Sequence, residues 1–122
     1  MTGARPRVLL VEDEVLITWL LQDMLLDLEC EIADAPASLD EALLAARTGA
    51  FDLALVDLDL RGRLTYPVAE ILKTRQIPFA FVTGYGSAAL ACAYADTPVL
   101  EKPFRREDLK AVIAAILPGP AV

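Results

Sequence analysis

Leu53-Ala54-Leu55-Val56-Asp57-Leu58-Asp59-Leu60 is the stretch whose reading decides the fold. Four apolar residues run directly into a carboxylate, a second carboxylate follows two positions later, and Arg61-Gly62 ends the pattern. An apolar run without alternation reads as a strand covered on both faces, as in a parallel sheet held between helices. A carboxylate cannot stay charged and unpaired inside such a strand, so Asp57 is expected at its solvent-facing tip.

Toward the N-terminus, Arg7-Val8-Leu9-Leu10-Val11 is another strand-like run, and it ends in Glu12-Asp13-Glu14. A helix is expected from about Val15 to Leu28, with Ile17, Leu20, Leu21, Met24 and Leu28 at helical spacing and Leu16 and Trp19 widening the stripe. Cys30 to Ala35 is a weaker strand candidate with Ile32 and Ala33 as its buried members. Ser38-Leu39-Asp40-Glu41 has the S-x-x-E form of a capping box, and the helix it opens runs to about Thr48, where Gly49 stops it.

Toward the C-terminus, Arg61 to Thr65 reads as a loop, and Pro67 suits the first turn of a helix reaching about Arg75. Ile77 to Thr83 is a fourth strand, with Pro78 tolerable near its start. Gly84-Tyr85-Gly86 turns the chain, and Ser87 is placed to cap an Ala-rich helix ending near Ala95. Pro98 to Lys102 is a short fifth strand. Leu109, Val112, Ile113, Ile116 and Leu117 then stripe a last helix that Pro118-Gly119-Pro120 ends. Strand and helix alternating five times predict an α/β (βα)5 fold, a five-stranded parallel sheet with helices on both faces and right-handed crossovers. One domain is expected over residues 1–122, with a core from about 7 to 117 and no room for an effector domain after Leu117.

The chain has 122 residues, enough for one core but not two. Its hydrophobic fraction of 56% marks an ordered fold. The longest apolar run is far short of the roughly 20 residues of a membrane span, and Met1 to Arg7 lacks the apolar segment of a signal peptide, so a cytoplasmic location is expected. The net charge of −7 argues against direct nucleic-acid binding, which calls for a basic stripe. The chain has no histidine, and its two cysteines, Cys30 and Cys92, lie far apart. That excludes zinc-site spacing and histidine-assisted nucleophiles, and the chain cannot be its own phosphohistidine donor.

In a parallel sheet all strand C-termini share one edge, where ligands bind. Glu12 and Asp13 end the first strand, Asp57 the third, Thr83 the fourth and Lys102 the fifth. Two negative charges about 4 Å apart repel by about 4 kcal/mol at an effective dielectric near 20, so three carboxylates together demand a cation. A hard, oxygen-preferring Mg²⁺ suits that set, and it keeps Asp57 ionised as a nucleophile toward a phosphoryl group. Lys102, the Thr83 hydroxyl and backbone N–H groups would share the charge of the transferring oxygens.

Val11-Glu12-Asp13-Glu14, Val56-Asp57-Leu58-Asp59, Val82-Thr83-Gly84 and Glu101-Lys102-Pro103-Phe104, in this order and spacing, resemble a response-regulator receiver domain of two-component signalling. The resemblance covers Val8 to about Leu117. It implies a flavodoxin-like fold with strand order 2-1-3-4-5, Asp57 as phosphoacceptor, Asp13 and Asp57 as direct Mg²⁺ ligands, Glu12 acting on the metal through water and Asp59 offering its backbone carbonyl. It also implies Thr83 as the switch hydroxyl, Lys102 as the phosphate-contacting cation, and a cis bond at Lys102-Pro103. The family's usual aromatic switch position, three residues before the lysine, is Val99 here. Phe79-Ala80-Phe81-Val82-Thr83-Gly84-Tyr85 instead resembles the Phe-Ala-Thr-Gly-Tyr signature of a subgroup often found as stand-alone proteins and associated with sensor kinases of the HWE/HisKA2 class. Gly84 and Gly86 flanking Tyr85 suggest a mobile loop whose ordering replaces the missing rotamer switch.

The expected function is therefore that of a single-domain response regulator, not an enzyme acting on other molecules. It takes a phosphoryl group from a sensor histidine kinase or a histidine phosphotransfer protein, and signals by protein–protein contact or drains phosphate as a sink. An unidentified output protein or a second copy of the chain would meet the face around Ala88, Ala89, Leu90, Ala91, Ala93, Tyr94 and Ala95. The competing enzymatic reading is a haloacid-dehalogenase-type phosphatase, suggested by Asp57-x-Asp59. Against it, Asp57 lies mid-chain and no acidic pair ends a later strand. A pseudo-receiver that no longer takes phosphate is disfavoured by the intact acidic cluster and Lys102.

Overall fold

A computed structural model describes residues 5–84 and 90–117. In chain order the elements are β1 (Arg7–Val11), α1 (Val15–Asp27), β2 (Glu31–Asp34), α2 (Leu39–Thr48), β3 (Leu53–Asp57), β4 (Asp59–Leu60), β5 (Arg63–Leu64), α3 (Tyr66–Thr74), β6 (Phe79–Thr83), β7 (Val99–Glu101) and α4 (Arg106–Ile116). Five strands form one parallel sheet in the order β2-β1-β3-β6-β7. Numbered by their order within that sheet, this is the 2-1-3-4-5 arrangement of the flavodoxin-like fold.

The apolar runs become the central strands because each face of the sheet is covered. Alternate side chains point to opposite faces. Val8, Leu10, Leu53, Leu55, Ala80, Val82 and Leu100 therefore pack with Leu21 and Leu25 of α1 and Leu109 and Ile113 of α4. Leu9, Val11, Ala54, Val56 and Phe81 pack with Ala42 and Ala46 of α2 and Val68, Ala69 and Leu72 of α3. Every residue of β3 is buried, as the Leu53–Asp57 reading requires. Among the described residues, no helix is long and apolar enough to cross a membrane.

Ser38 caps α2 by accepting the Glu41 N–H at 3.2 Å. The second half of the expected box differs, because the Glu41 carboxylate accepts the Ser38 hydroxyl at 3.1 Å instead. Gly49 does end α2, but in an extended conformation (φ −73°) and not a left-handed one. Its need for glycine is close approach, since a Cβ would sit 2.7 Å from the Ala45 carbonyl oxygen.

Three sequence expectations are corrected. The α1 stripe is narrower than predicted: Ile17, Leu21, Met24 and Leu28 face the core with Leu25 added, whereas Leu16 and Trp19 are 74% and 60% exposed and Leu20 is also exposed. A helix this rich in apolar residues offers several arcs with similar hydrophobicity, and contact with β1 and β2 selects among them. The Arg61–Thr65 loop contains a small antiparallel hairpin, with Asp59 opposite Leu64 and Leu60 opposite Arg63. Arg61 (φ 53°) and Gly62 (φ 84°) make its turn, and positive φ at both central residues matches the twist of a two-residue hairpin.

The third correction concerns the Ala-rich helix. Its proposed cap, Ser87, and Ala88 and Ala89 lie outside the described residues, as do Tyr85 and Gly86 of the proposed switch loop and Pro118 to Pro120 after α4. From Leu90 to Ala95 the chain forms only a 3-10 turn at Cys92–Tyr94, entered from an extended Ala91. Tertiary contacts override alanine's helix propensity here. The Ala91 N–H donates to the Tyr66 hydroxyl at 2.8 Å, and Tyr94 turns inward to stack on Tyr66 at 4.8 Å.

Candidate functional site

The C-terminal ends of β1, β3, β6 and β7 meet on one rim of the sheet, and the register fixes who is adjacent. Val11 lies beside Val56, Asp57 beside Val82, and Thr83 beside Glu101. The residues just past these pairs are Glu12 and Asp13 from β1 and Lys102 from β7. Carboxylate oxygens of Glu12, Asp13 and Asp57 lie within 4.8 Å of one another. Lys102 Nζ reaches into the same cluster, 3.3 Å from Glu12 Oε1 and 3.5 Å from Asp57 Oδ2.

Thr83 is buried at the end of β6, and its carbonyl accepts the Lys102 N–H at 2.8 Å. The Lys102-Pro103 peptide is cis, in agreement with expectation. Asp59 directs its carboxylate away from the cluster to accept the Gly62 N–H at 2.6 Å, while its own N–H donates to Asp57 Oδ1 at 3.2 Å. Val99 sits beside Phe81 in the sheet.

Electrostatics follow from burying like charges together. Glu12 is 2% exposed and Asp57 6%. Burial pushes the Glu12 carboxyl up to about 7, and the Asp57 charge adds to this, while the Glu14 N–H and Lys102 pull the other way. Burial also raises Asp57, against the Asp59 N–H and the Lys102 ammonium. For Lys102, burial alone would lower the pKa, but Asp57 and Glu12 more than offset it and the net shift is upward. Glu12 Oε1 has no hydrogen-bond partner among the described residues; the 3.3 Å approach of Lys102 is an ion pair without hydrogen-bond geometry. A buried, orphaned carboxylate oxygen facing two other carboxylates is a donor set for a hard divalent cation, and the all-oxygen chemistry fits Mg²⁺ better than a softer metal.

Three further residues lie near the cluster, and two of them, Thr65 and Arg61, carry no signal in the sequence. Thr65 is fully buried and donates its hydroxyl to the Asp57 carbonyl at 2.7 Å, which anchors the loop after β3. Glu14 places Oε1 3.7 Å from Lys102. Arg61 Nε lies 3.6 Å from Asp13 Oδ2. A lone Thr or Arg in a loop has no pattern to announce it, and only the hairpin brings Arg61 back over the rim.

A cleft of about 420 Å³ lies elsewhere, among Ile77, Pro78, Thr97 and Pro98 at the opposite ends of β6 and β7 and Tyr94 beside them. It holds no carboxylate cluster, so the chemistry locates the candidate site at the rim.

Comparison with known proteins agrees with this geometry. The family model of the response regulator receiver domain matches residues 8–114. The solution structure of SdrG from Sphingomonas melonis Fr1 is similar, with 35% identity and a TM-score of 0.81 over 94% of this chain and 98% of that one. The BeF3-activated conformation of SdrG from Pseudomonas melonis Fr1 matches at 36% identity and a TM-score of 0.79, over 93% of this chain and 98% of that one. The receiver domain of the Erythrobacter litoralis PhyR response regulator matches at 26% identity and a TM-score of 0.81, over 98% and 97% of the two chains. No curated protein matches the chain. With its sheet order, its rim of carboxylates and a family match across most of its length, the chain belongs to the response regulator receiver domain family.

Proposed function

We propose that the protein accepts a phosphoryl group on Asp57 from a phosphohistidine of another protein and signals through the conformation this produces. The observation that carries the proposal is the convergence of Glu12, Asp13 and Asp57 within 4.8 Å, with Lys102 Nζ 3.5 Å from Asp57. One Asp57 oxygen forms the new P–O bond as the P–N bond of the donor breaks, and the imidazole of the donor leaves. The chain has no histidine, so the donor is a sensor histidine kinase or a histidine phosphotransfer protein. The Phe79–Tyr85 signature favours a kinase of the HWE/HisKA2 class.

Asp13 and Asp57 would hold Mg²⁺ directly, Glu12 through water, and Asp59 through its backbone carbonyl. Bound there, Mg²⁺ supplies charge neutralisation for an ionised Asp57 and the phosphoryl oxygens. Lys102 is positioned to steady a phosphoryl oxygen as a point charge. Thr83, at the neighbouring strand end, is the hydroxyl that would close on the phosphoryl group. Its backbone link to Lys102 gives the two residues a common support.

On this reading the protein acts as a cytoplasmic regulator. Its output is contact with a partner protein or a second copy, or drainage of phosphate. The likeness to a relative with a BeF3-activated conformation supports an activation step of this kind.

Labelling with a small acyl phosphate tests the proposal. Wild-type protein with Mg²⁺ should take up one phosphoryl group, and Asp57→Asn or excess EDTA should abolish uptake. Equal labelling of Asp57→Asn would move the acceptor elsewhere, and sustained hydrolysis of a phosphomonoester would replace the receiver reading with the phosphatase one.

A further inference from the structure

Arg61 occupies a conformation that its residue type does not favour. Its φ of 53° lies in the left-handed region, where Gly and Asn sit with least strain and a long side chain is uncommon. The turn is pinned by the Gly62 N–H donating to Asp59 Oδ1 at 2.6 Å. Asp59 in turn is tied to Asp57 by its own N–H at 3.2 Å. The hairpin is thereby fastened to the rim, and it carries the Arg61 guanidinium back over Asp13, with Nε 3.6 Å from Oδ2.

The two cations of the site divide the carboxylates between them. Lys102 lies on Glu12, Glu14 and Asp57, whereas Arg61 lies on Asp13, the one member of the three-carboxylate cluster that Lys102 does not pair with. Arg61 is also the solvent-facing side of that pair, 80% exposed against 13% for Asp13. A divalent cation and a guanidinium compete for the same carboxylate oxygen, and only the guanidinium has water to retreat into.

We propose that Arg61 is a positioning residue that sets the metal affinity of the site, holding Asp13 as an internal counter-cation that withdraws when Mg²⁺ takes that carboxylate. The proposal rests on the reading of Asp13 as a metal ligand. Arg61 keeps the carboxylate preorganised and lowers Mg²⁺ affinity, so that occupancy responds to the Mg²⁺ level instead of being saturated.

Calorimetric titration of the full chain with MgCl₂ at low ionic strength tests this with a readout independent of phosphorylation. Arg61→Ala and Arg61→Asn, the second chosen because asparagine tolerates the positive φ, should each bind Mg²⁺ about 2- to 5-fold more tightly than wild type, the range that an exposed ion pair supports. The gain should shrink as salt is added. Arg63→Ala removes the same charge from the same hairpin, and Arg63 forms no ion pair among the described residues, so this variant should stay closer to wild type. Unchanged or weaker binding by both Arg61 variants would overturn the proposal, and so would an equal gain in Arg63→Ala, which would reduce it to the general field of the surface. Failure of wild type and every variant to bind Mg²⁺ would overturn the metal reading itself, and this proposal with it.

Discussion

Glu12→Gln should stabilise the metal-free protein clearly more at pH 8 than at pH 5. In the folded chain the Glu12 carboxyl is held at about 7 against an ordinary 4.5, chiefly by burial, and its side chain is 1% exposed. Because the folded value lies above the unfolded one, the folded state holds more protons between about 4.5 and 7. Stability therefore falls as pH rises through that window, and the full penalty is present above it. A shift of this size corresponds to about 3 kcal/mol, and partial solvation at the mouth of the site brings the expected effect to about 1–3 kcal/mol.

The pH window is unusually clean, since the chain has no histidine to titrate there. Asp57, also raised by burial, acts in the same direction and remains in the variant. Urea unfolding followed by circular dichroism in EDTA, at pH 5 and pH 8, reads the difference directly. A variant no more stable than wild type at pH 8, or equally more stable at both pH values, would refute the argument that a buried, charged Glu12 strains the metal-free site.

Lys102→Met should lower acyl-phosphate labelling by about 10²-fold, the usual consequence of removing one transition-state charge partner. Near-normal labelling rates would remove Lys102 from the phosphoryl site. Phe81 is fully buried and meets Tyr66, Phe79 and Tyr94 edge-on with ring centroids 5.6–5.7 Å apart. Phe81→Ala should cost about 3–5 kcal/mol in chemical denaturation, and a loss under about 1 kcal/mol would mean that this cluster does not hold β6 to α3.

That aromatic cluster also lies beside Val99, which pairs with Phe81 in the sheet. Val99 contributes no ring, but Tyr94 packs inward against Phe81 and Tyr66, its hydroxyl hydrogen-bonds Glu70 of α3 and Lys73 lies 4.8 Å from its ring centre. Burial, followed by the Glu70 carboxylate, pushes the Tyr94 phenol up to about 12, so it stays protonated and donates. The residue most responsible for closing this face comes from a segment whose composition reads as an alanine helix. Its conformation is set instead by Tyr66 and Glu70, more than twenty residues away in sequence.

By itself the sequence determined what local pattern can carry. Unbroken apolar runs at Val8–Val11 and Leu53–Val56 require covered strands, polar residues at their ends require a solvent-facing rim, and alternation with helical stripes requires parallel pairing. The strand ends that meet at the rim were therefore legible, at Glu12, Asp13, Asp57, Thr83 and Lys102. Pattern is silent wherever several arrangements bury similar surface or where a contact spans the fold. Only tertiary structure decided which arc of α1 faces the sheet, because Leu16, Trp19 and Leu20 are as apolar as the buried Leu21 and Leu25. Only the fold could aim Tyr94 inward, tie Thr65 to the Asp57 carbonyl, and bring Arg61 over Asp13. The strand Leu53–Asp57 presents its carboxylate by local sequence alone, but the charges that surround that carboxylate exist only once four strand ends have met.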